Sequence, residues 1–217
     1  MTNTPVPDID LFEAIDTMRA IRRFKADPVP DALLRRVLEA AGQAPSGGNR
    51  QPWRWVVIRS AKGKRKVSEL VQAAVERAAA ARSAGQDRRP TPAPTATGGD
   101  DFAASLAHAP VLIIACAQRP VSEGPWSVGP FGQSYPAVEN LLLAARGVGL
   151  GGTITTSFRW MEAEFRDLLG LPDNIDPTCL IPLGYPAGTD GQHHGPKSRK
   201  PIEEMVCEEH WDQAISF

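Results

Sequence analysis

The chain of 217 residues contains no run of about 18 apolar residues, so it offers no segment able to cross a membrane as a helix. Its first ten residues, MTNTPVPDID, have neither the basic nor the apolar region of a signal peptide, and a cytoplasmic location is expected. An excess of charge is missing too: the formal net charge is −1, which leaves no global field to attract nucleic acid. Basic clusters therefore have to be local sites or solvated faces. Cysteine is scarce, with Cys116, Cys179 and Cys207 far apart and no CxxC spacing. That pattern argues for reduced thiols and against a disulfide framework, and no metal site is expected. Cys116 falls in an apolar run and is expected to be a small core residue. No internal repeat is evident.

Hydrophobic residues make up 42% of the chain, enough for a core, and the length suits one domain over residues 1–217. Residues 9–19 carry Leu11, Ile15 and Met18 at helical spacing. PDALLRRVLEAAGQA puts Leu33, Leu34, Val37, Leu38 and Ala41 on one helix face, with Pro30 suited to its first turn and Gly42 near its end. The loop APSGGNRQPW leads into RWVVIRS, a strand by composition. Residues 61–84 read as a helix that becomes rich in alanine. Residues 85–100, GQDRRPTPAPTATGGD, break every pattern and read as a mobile loop or lid, not as a domain boundary.

A short helix at 101–107 precedes the strand PVLIIACA. In SYPAVENLLLAARGVG, Tyr135, Val138, Leu142 and Ala145 share a face, with Leu141 and Val148 beside it. This is a buried helix closed by Gly147 or Gly149. GGTITTS reads as a β-branched strand, EAEFRDLLG as a helix ending at Gly170, and TCLIPLGYP as another strand. Helices and strands are mixed throughout, giving an α/β or α+β domain.

Two basic clusters and two glycine-bearing segments could carry chemistry. TMRAIRRF places Arg19, Arg22 and Arg23 within one helical turn if the helix continues, close enough to repel. In GPKSRKP the flanking prolines favour an extended strand, which would put Lys197 and Arg199 on one side as a phosphate grip. Taken alone, each cluster is ordinarily a solvated surface. In APSGGNRQPW, Ser46, Gly47, Gly48 and Asn49 let the backbone approach a ligand closely, and Gln51 offers an amide able to read another amide edge. GLGGTITT is not GxGxxG and runs from helix into strand, the reverse of a dinucleotide-binding entry. Its glycines instead let a strand start tightly against the helix and present N–H groups from Thr155 to Ser157. His108, His193 and His194 are expected on the surface or in loops, and Glu139 and Asn140 are polar groups on the buried helix.

RAIRRF followed by PVP, then LLRRVLEAAGQAPSGGNRQPWRWVVI, NLLLAARGVGLGGTITT, LIPLGYP and PKSRKP resemble, in that order, the nitroreductase family of flavoproteins. The matches span roughly residues 12–201. The resemblance implies an α+β three-layer fold, a mostly antiparallel central sheet flanked by helices, in an intertwined homodimer with one FMN at each of two shared sites. It assigns Arg19, Lys197 and Arg199 to the FMN phosphate, with Ala20 at the neighbouring position, and Arg22 to the flavin N1 and C2 carbonyl side. Pro45, Ser46 and Gly47 match the loop that reaches the ring from the other subunit, supported by Asn49. The backbone of Thr155 and Thr156 matches the segment facing flavin N5. The resemblance would also place Glu139 and Asn140 at a dimer or flavin side. Met18-Arg19-Ala20 stands where family members often carry Arg-Arg-Ser, and Thr155-Thr156 replaces the Glu-Gly of some members.

The resemblance also implies an activity: ping-pong hydride transfer from NADPH or NADH through the flavin to a small organic acceptor such as a nitroaromatic or quinone. Neither a membrane nor a nucleic acid is expected as a partner. The alternatives are a reductive dehalogenase or flavin-fragmenting branch of the same fold, or a flavin-binding module without turnover.

Overall fold

The structure, a computed structural model, describes residues 9–86, 99–119, 129–188 and 193–216. Within them lie six α-helices: α1 (Leu11–Thr17), α2 (Asp31–Ala41), α3 (Ala61–Ser83), α4 (Gly99–Ser105), α5 (Gly129–Gly147) and α6 (Glu162–Leu169). The strands β1 (Trp53–Ile58), β2 (Val111–Gln118), β3 (Gly151–Gly152) and β4 (Ile175–Gly184) form one antiparallel sheet in the order β1-β2-β4-β3.

The centre of the sheet is dictated by VLIIACA, in which every residue from Val111 to Ala117 is buried. Successive side chains of a strand point to opposite faces, so one apolar run feeds two cores. Val111, Ile113 and Ala115 pack with Leu34 and Val37 of α2 and with Val138, Leu141 and Ala145 of α5. Leu112, Ile114 and Cys116 face the other way, onto Val67 and Val71 of α3, Leu106, Phe158 and Phe165. The two phenylalanine rings stack with centroids 4.3 Å apart. Helices thus cover both faces of the sheet, the three-layer α+β arrangement that was expected. Burial pushes the Cys116 and Cys179 thiols up to about 12, so both behave as apolar core groups, while Cys207 is exposed.

Three local expectations change. The first helix stops at Thr17, because Met18 is extended and the Arg19 guanidinium donates to the carbonyls of Asp16 and Met18, both at 2.5 Å. A cation at a helix C-terminus satisfies orphan carbonyls and opposes the dipole. Residues 20–25 then run along the sheet end instead of continuing as a helix, tied by Ile21 N–H to the Gly152 carbonyl and Lys25 N–H to that of Tyr185, each 2.9 Å. Met18 packs on the core, but Leu11, Phe12 and Ile15 are exposed.

The strand expected over GGTITTS shrinks to Gly151–Gly152, with Thr155 making an isolated bridge to Leu180. Those glycines answer crowding: a Cβ at Gly151 would lie 2.5 Å from Ile21 Cγ1, and one at Gly152 would lie 2.8 Å from the Pro182 carbonyl oxygen. Residues 194–200 are unpaired coil where a strand was expected. Of the 85–100 segment, residues 87–98 lie outside the described residues.

Candidate functional site

Four stretches of chain converge where β3 meets the end of β4. Gly195 N–H donates to the Thr17 carbonyl at 2.9 Å, and His194 Nε2 donates to the Leu150 carbonyl at 2.8 Å. From α5, Arg146 donates through Nε to Thr17 Oγ1 at 2.9 Å and pairs with Glu13 at 3.3 Å. These bonds bring the late basic segment against the end of α1. Arg19 and Arg199, from opposite ends of the chain, become electrostatic neighbours: desolvation and then the Arg199 charge hold Arg19 below the usual arginine value, opposed by Asp16. Arg19 Nε is buried and unpaired. Lys197 is exposed and makes no ion pair or hydrogen bond among the described residues. Like charges gathered around one acidic group carry a Coulomb cost that a bound anion removes.

The other two arginines of the first cluster lie elsewhere. Arg22 and Arg23 line a cavity of about 420 Å³ with Phe24, Ala104, Ser105, His108 and Ala109. Ser105 Oγ lies 3.3 Å from the Arg22 carbonyl, fixing that stretch against α4. Between the two groups, Ala20 bridges to Gly152.

The Ser46–Gln51 loop folds on itself. Ser46 Oγ accepts from Gln51 N–H at 3.0 Å, and Asn49 Oδ1 accepts from Gln51 Nε2 at 3.0 Å. Gly48, Asn49 and Gln51 all have positive φ (58°, 53° and 48°), a left-handed path that presents Pro45, Gly47 and Asn49 to solvent. The Gln51 amide nitrogen is therefore engaged by Asn49, while its amide oxygen has no partner among the described residues.

This loop does not meet the basic corner. It enters β1 at Trp53, which faces Ala117, whereas Gly152 pairs with Leu183 opposite Val111. Val111 and Ala117 are at opposite ends of β2, about 20 Å apart at 3.3–3.4 Å per residue. Thr155 and Thr156 lie between these ends. Thr155 N–H donates to the Leu180 carbonyl at 3.0 Å and its hydroxyl meets Ser157 Oγ at 2.9 Å, so these groups are committed. Ser157 N–H reaches Thr155 Oγ1 at 3.3 Å. Of the three N–H groups expected to be presented, only that of Thr156 has no partner among the described residues.

His108 and His193 are exposed, as expected. His194 lies in coil as expected, yet it is half-buried and bonded, and burial, with the charges of Arg146 and Arg19, holds its pKa below the ordinary histidine value against the favourable Leu150 carbonyl. Sequence reasoning placed it in a loop because the doublet HH beside GPKSRK reveals nothing about burial. Asn140 donates to the Ala40 carbonyl at 3.4 Å, joining α5 to α2, and Glu139 is exposed on α5. Among the described residues no group of three His, Cys, Asp or Glu could hold a metal, and no helix is long and apolar enough to cross a membrane.

Comparison with known proteins gives this arrangement its class. The nitroreductase family model matches residues 15–185. A Thermus thermophilus protein named NADH dehydrogenase is 34% identical over 210 residues, covering 93% of this chain and 97% of that protein. The iodotyrosine deiodinase of Nematostella vectensis is 28% identical, covering 91% of this chain and 74% of the relative. Among solved structures, a nitroreductase-like protein of Desulfovibrio desulfuricans, crystallised in complex with FMN, superposes with a TM-score of 0.67 at 26% identity, covering 94% of this chain and 99% of that one. The class is therefore that of the nitroreductase-fold oxidoreductases. The chain belongs to the nitroreductase family.

Proposed function

We propose that this chain is an FMN-dependent oxidoreductase that takes hydride from NADH or NADPH and delivers it to a small organic acceptor such as a nitroaromatic or quinone. The observation that carries this reading is the Arg19–Arg199 neighbourhood, two cations held together from distant parts of the chain with Asp16 opposing. A phosphate monoester, with about −1.5 to −2 charge at neutral pH, fits such a corner, and its oxygens match guanidinium donors. The unpaired Arg19 Nε and the unengaged Lys197 point to the same chemistry. Arg19, Lys197 and Arg199 would hold the FMN phosphate, with Ala20 packed beside them. Ala20 and Met18 bring neither a hydroxyl nor a further cation, so the late segment carries more of the phosphate affinity.

Bound FMN supplies a centre that accepts hydride from a nicotinamide and donates it to an acceptor. The protein's own part is binding and electrostatics. Arg22 would provide positive charge on the ring side of the bound flavin, and Thr156 N–H would be available to it as a donor. Nicotinamide and acceptor would be bound in turn, in a ping-pong cycle. The loop bearing Pro45, Ser46, Gly47 and Asn49, remote from the corner in its own chain, serves the site of a second copy, and the exposed Leu11, Phe12 and Ile15 supply apolar surface for that homodimer.

Anaerobic stopped-flow of the FMN-loaded protein against NADH and NADPH tests the reading. Rapid bleaching of the flavin by either nicotinamide is expected, and a flavin that resists both would overturn it in favour of a binding module without turnover. The likeness to iodotyrosine deiodinase motivates a second reading, reductive dehalogenation. Re-oxidation of the reduced protein by a halophenol but not by a nitroaromatic would favour that branch.

A further inference from the structure

The coil that carries Lys197 and Arg199 has no strand pairing, and two bonds hold its start: Gly195 N–H to Thr17 and His194 Nε2 to Leu150. From Pro196 to Lys200 every residue is exposed, and among the described residues the only further bond there is local, Arg199 to the Ser198 carbonyl at 3.4 Å. The placement of both cations relative to Arg19 therefore depends on these two anchors at His194 and Gly195, of which only His194 holds the coil through its side chain. We infer that His194 is a positioning residue for the phosphate corner: its neutral imidazole pins the Lys197–Arg199 segment to Leu150, and its protonation loosens that segment. This rests on the phosphate-binding reading above.

The partners of the ring fix where its proton sits. A carbonyl only accepts, so the neutral ring carries its hydrogen on Nε2 and a lone pair on Nδ1. Nδ1 is buried and has no partner. Adding a proton there would create a buried N–H with no acceptor, a cost of the kind that excludes charge from such places. The surrounding groups oppose it further. Arg19 faces the ring from beyond α1, Arg146 from α5 and His193 from its own segment, while of the nearby carboxylates Glu13 pairs with Arg146 and Asp16 acts electrostatically on Arg19. Close packing leaves little room to turn away, since a Cβ at Gly151 would lie 3.2 Å from His194 Nε2.

The direction of the shift sets the pH window. The native value lies below the unfolded one of about 6.5, so the unfolded or detached state binds the extra proton first. The anchor is fully present above about pH 6.5 and is lost as pH falls toward the lowered native value. Over the same range a phosphate monoester changes charge, with a second pKa near 6. A non-titrating variant must therefore supply the ligand's share of any pH dependence.

The experiment measures FMN dissociation constants by flavin fluorescence on the full-length protein, from pH 5 to 8, for wild type, His194→Ala and His194→Gln. Glutamine places an amide donor near the Nε2 position and does not titrate. Loss of the anchor in His194→Ala should weaken FMN binding roughly tenfold at pH 7.5. His194→Gln should stay within about threefold of wild type and lose affinity less steeply below pH 6.5, because the His194 share of the pH dependence is then absent. Should His194→Ala be poorly folded, the contrast in pH profile between wild type and His194→Gln decides alone. Equal affinity in His194→Ala and wild type, or identical profiles for wild type and His194→Gln, would overturn the role of His194 while leaving the phosphate corner intact. A wild-type protein that binds no FMN would bring down both readings.

Discussion

The basic corner and the Ser46–Gln51 loop are both assigned to one cofactor, yet they are built in opposite ways. The corner draws on α1, α5, β3 and the late coil, and its side chains are cross-bonded through Thr17, Arg146, His194 and Leu150. Its unbalanced feature is charge: Arg19 and Arg199 repel, with Asp16 the counter-charge that pulls Arg19 the other way. The loop makes its side-chain bonds within itself and shows no electrostatic deficit; its unusual feature is conformation, three left-handed residues between 48 and 51. In the proposed function, the corner receives the FMN phosphate and the loop serves the site of a second copy. Such a site would account for both features, and the difference between them can be measured.

Removing the corner's charge should have the largest effect. Hydrogen bonds to charged groups contribute about 1.5–3 kcal/mol each, so Arg19→Ala and Arg199→Ala should each weaken FMN binding by roughly 10- to 100-fold, and the double variant by more. Without FMN the melting temperature of Arg199→Ala should not fall, since its removal relieves repulsion, whereas Arg19→Ala also removes the donors to the Asp16 and Met18 carbonyls and should lower it by a few degrees. Fluorescence titration and thermal denaturation check both statements. If both arginines proved dispensable for FMN, the corner would be an ordinary solvated surface and the comparison would collapse.

Next in size is the loop's conformation. Placing a β-branched residue at Gly48, whose φ is 58°, costs about 1–2 kcal/mol for the left-handed geometry. Gly48→Val should therefore lower the melting temperature by several degrees, judged by thermal denaturation, while the phosphate contribution to FMN binding stays in place. A Gly48→Val protein that lost FMN as completely as the double arginine variant would show that the loop, not the corner, dominates retention. A milder change, Ser46→Ala, removes the acceptor of Gln51 N–H at an exposed position and should cost no more than about 1 kcal/mol by the same measurement.

The same contrast explains what the sequence could disclose. PVLIIACA was legible as a strand because an apolar run of β-formers is a local signal; that it is central and sends Ile113 and Ile114 to opposite cores is seen only in the fold. The glycine at 170 closed α6 in the left-handed conformation, again a local matter. Arg19 and Arg199 were legible as members of a family pattern, but their neighbourhood is tertiary, fixed by bonds such as Gly195 to Thr17 that no spacing rule contains. GGTITTS misled for a related reason. Its β-branched composition favours a strand, but Ile21 and Pro182 crowd its glycines and Ser157 opens a short 3-10 turn, so only two residues pair in β3. His194 was missed because burial of a loop histidine depends on what folds over it.

The smallest expected change in FMN affinity is also the sharpest test of how the first cluster divides. Had the first helix continued, Arg19 and Arg22 would share a face, and both should matter to the phosphate. The chain instead leaves the helix at Met18, and Arg22 lines the cavity beside α4 with Arg23 and Phe24 while Arg19 sits with Arg199. Arg22→Ala should therefore leave the FMN dissociation constant within about threefold of wild type, the span of one weak exposed contact. Its effect belongs to reactivity. Loss of a positive charge near a ring that gains electrons should slow reduction by NADH or NADPH by about tenfold or more, read by stopped-flow at saturating FMN. If Arg22→Ala lost FMN as severely as Arg199→Ala, the two arginine groups would be one phosphate site despite their separate surroundings. A variant with normal affinity and normal reduction would confine Arg22 to the α4 cavity and leave the flavin's electrostatics to other residues.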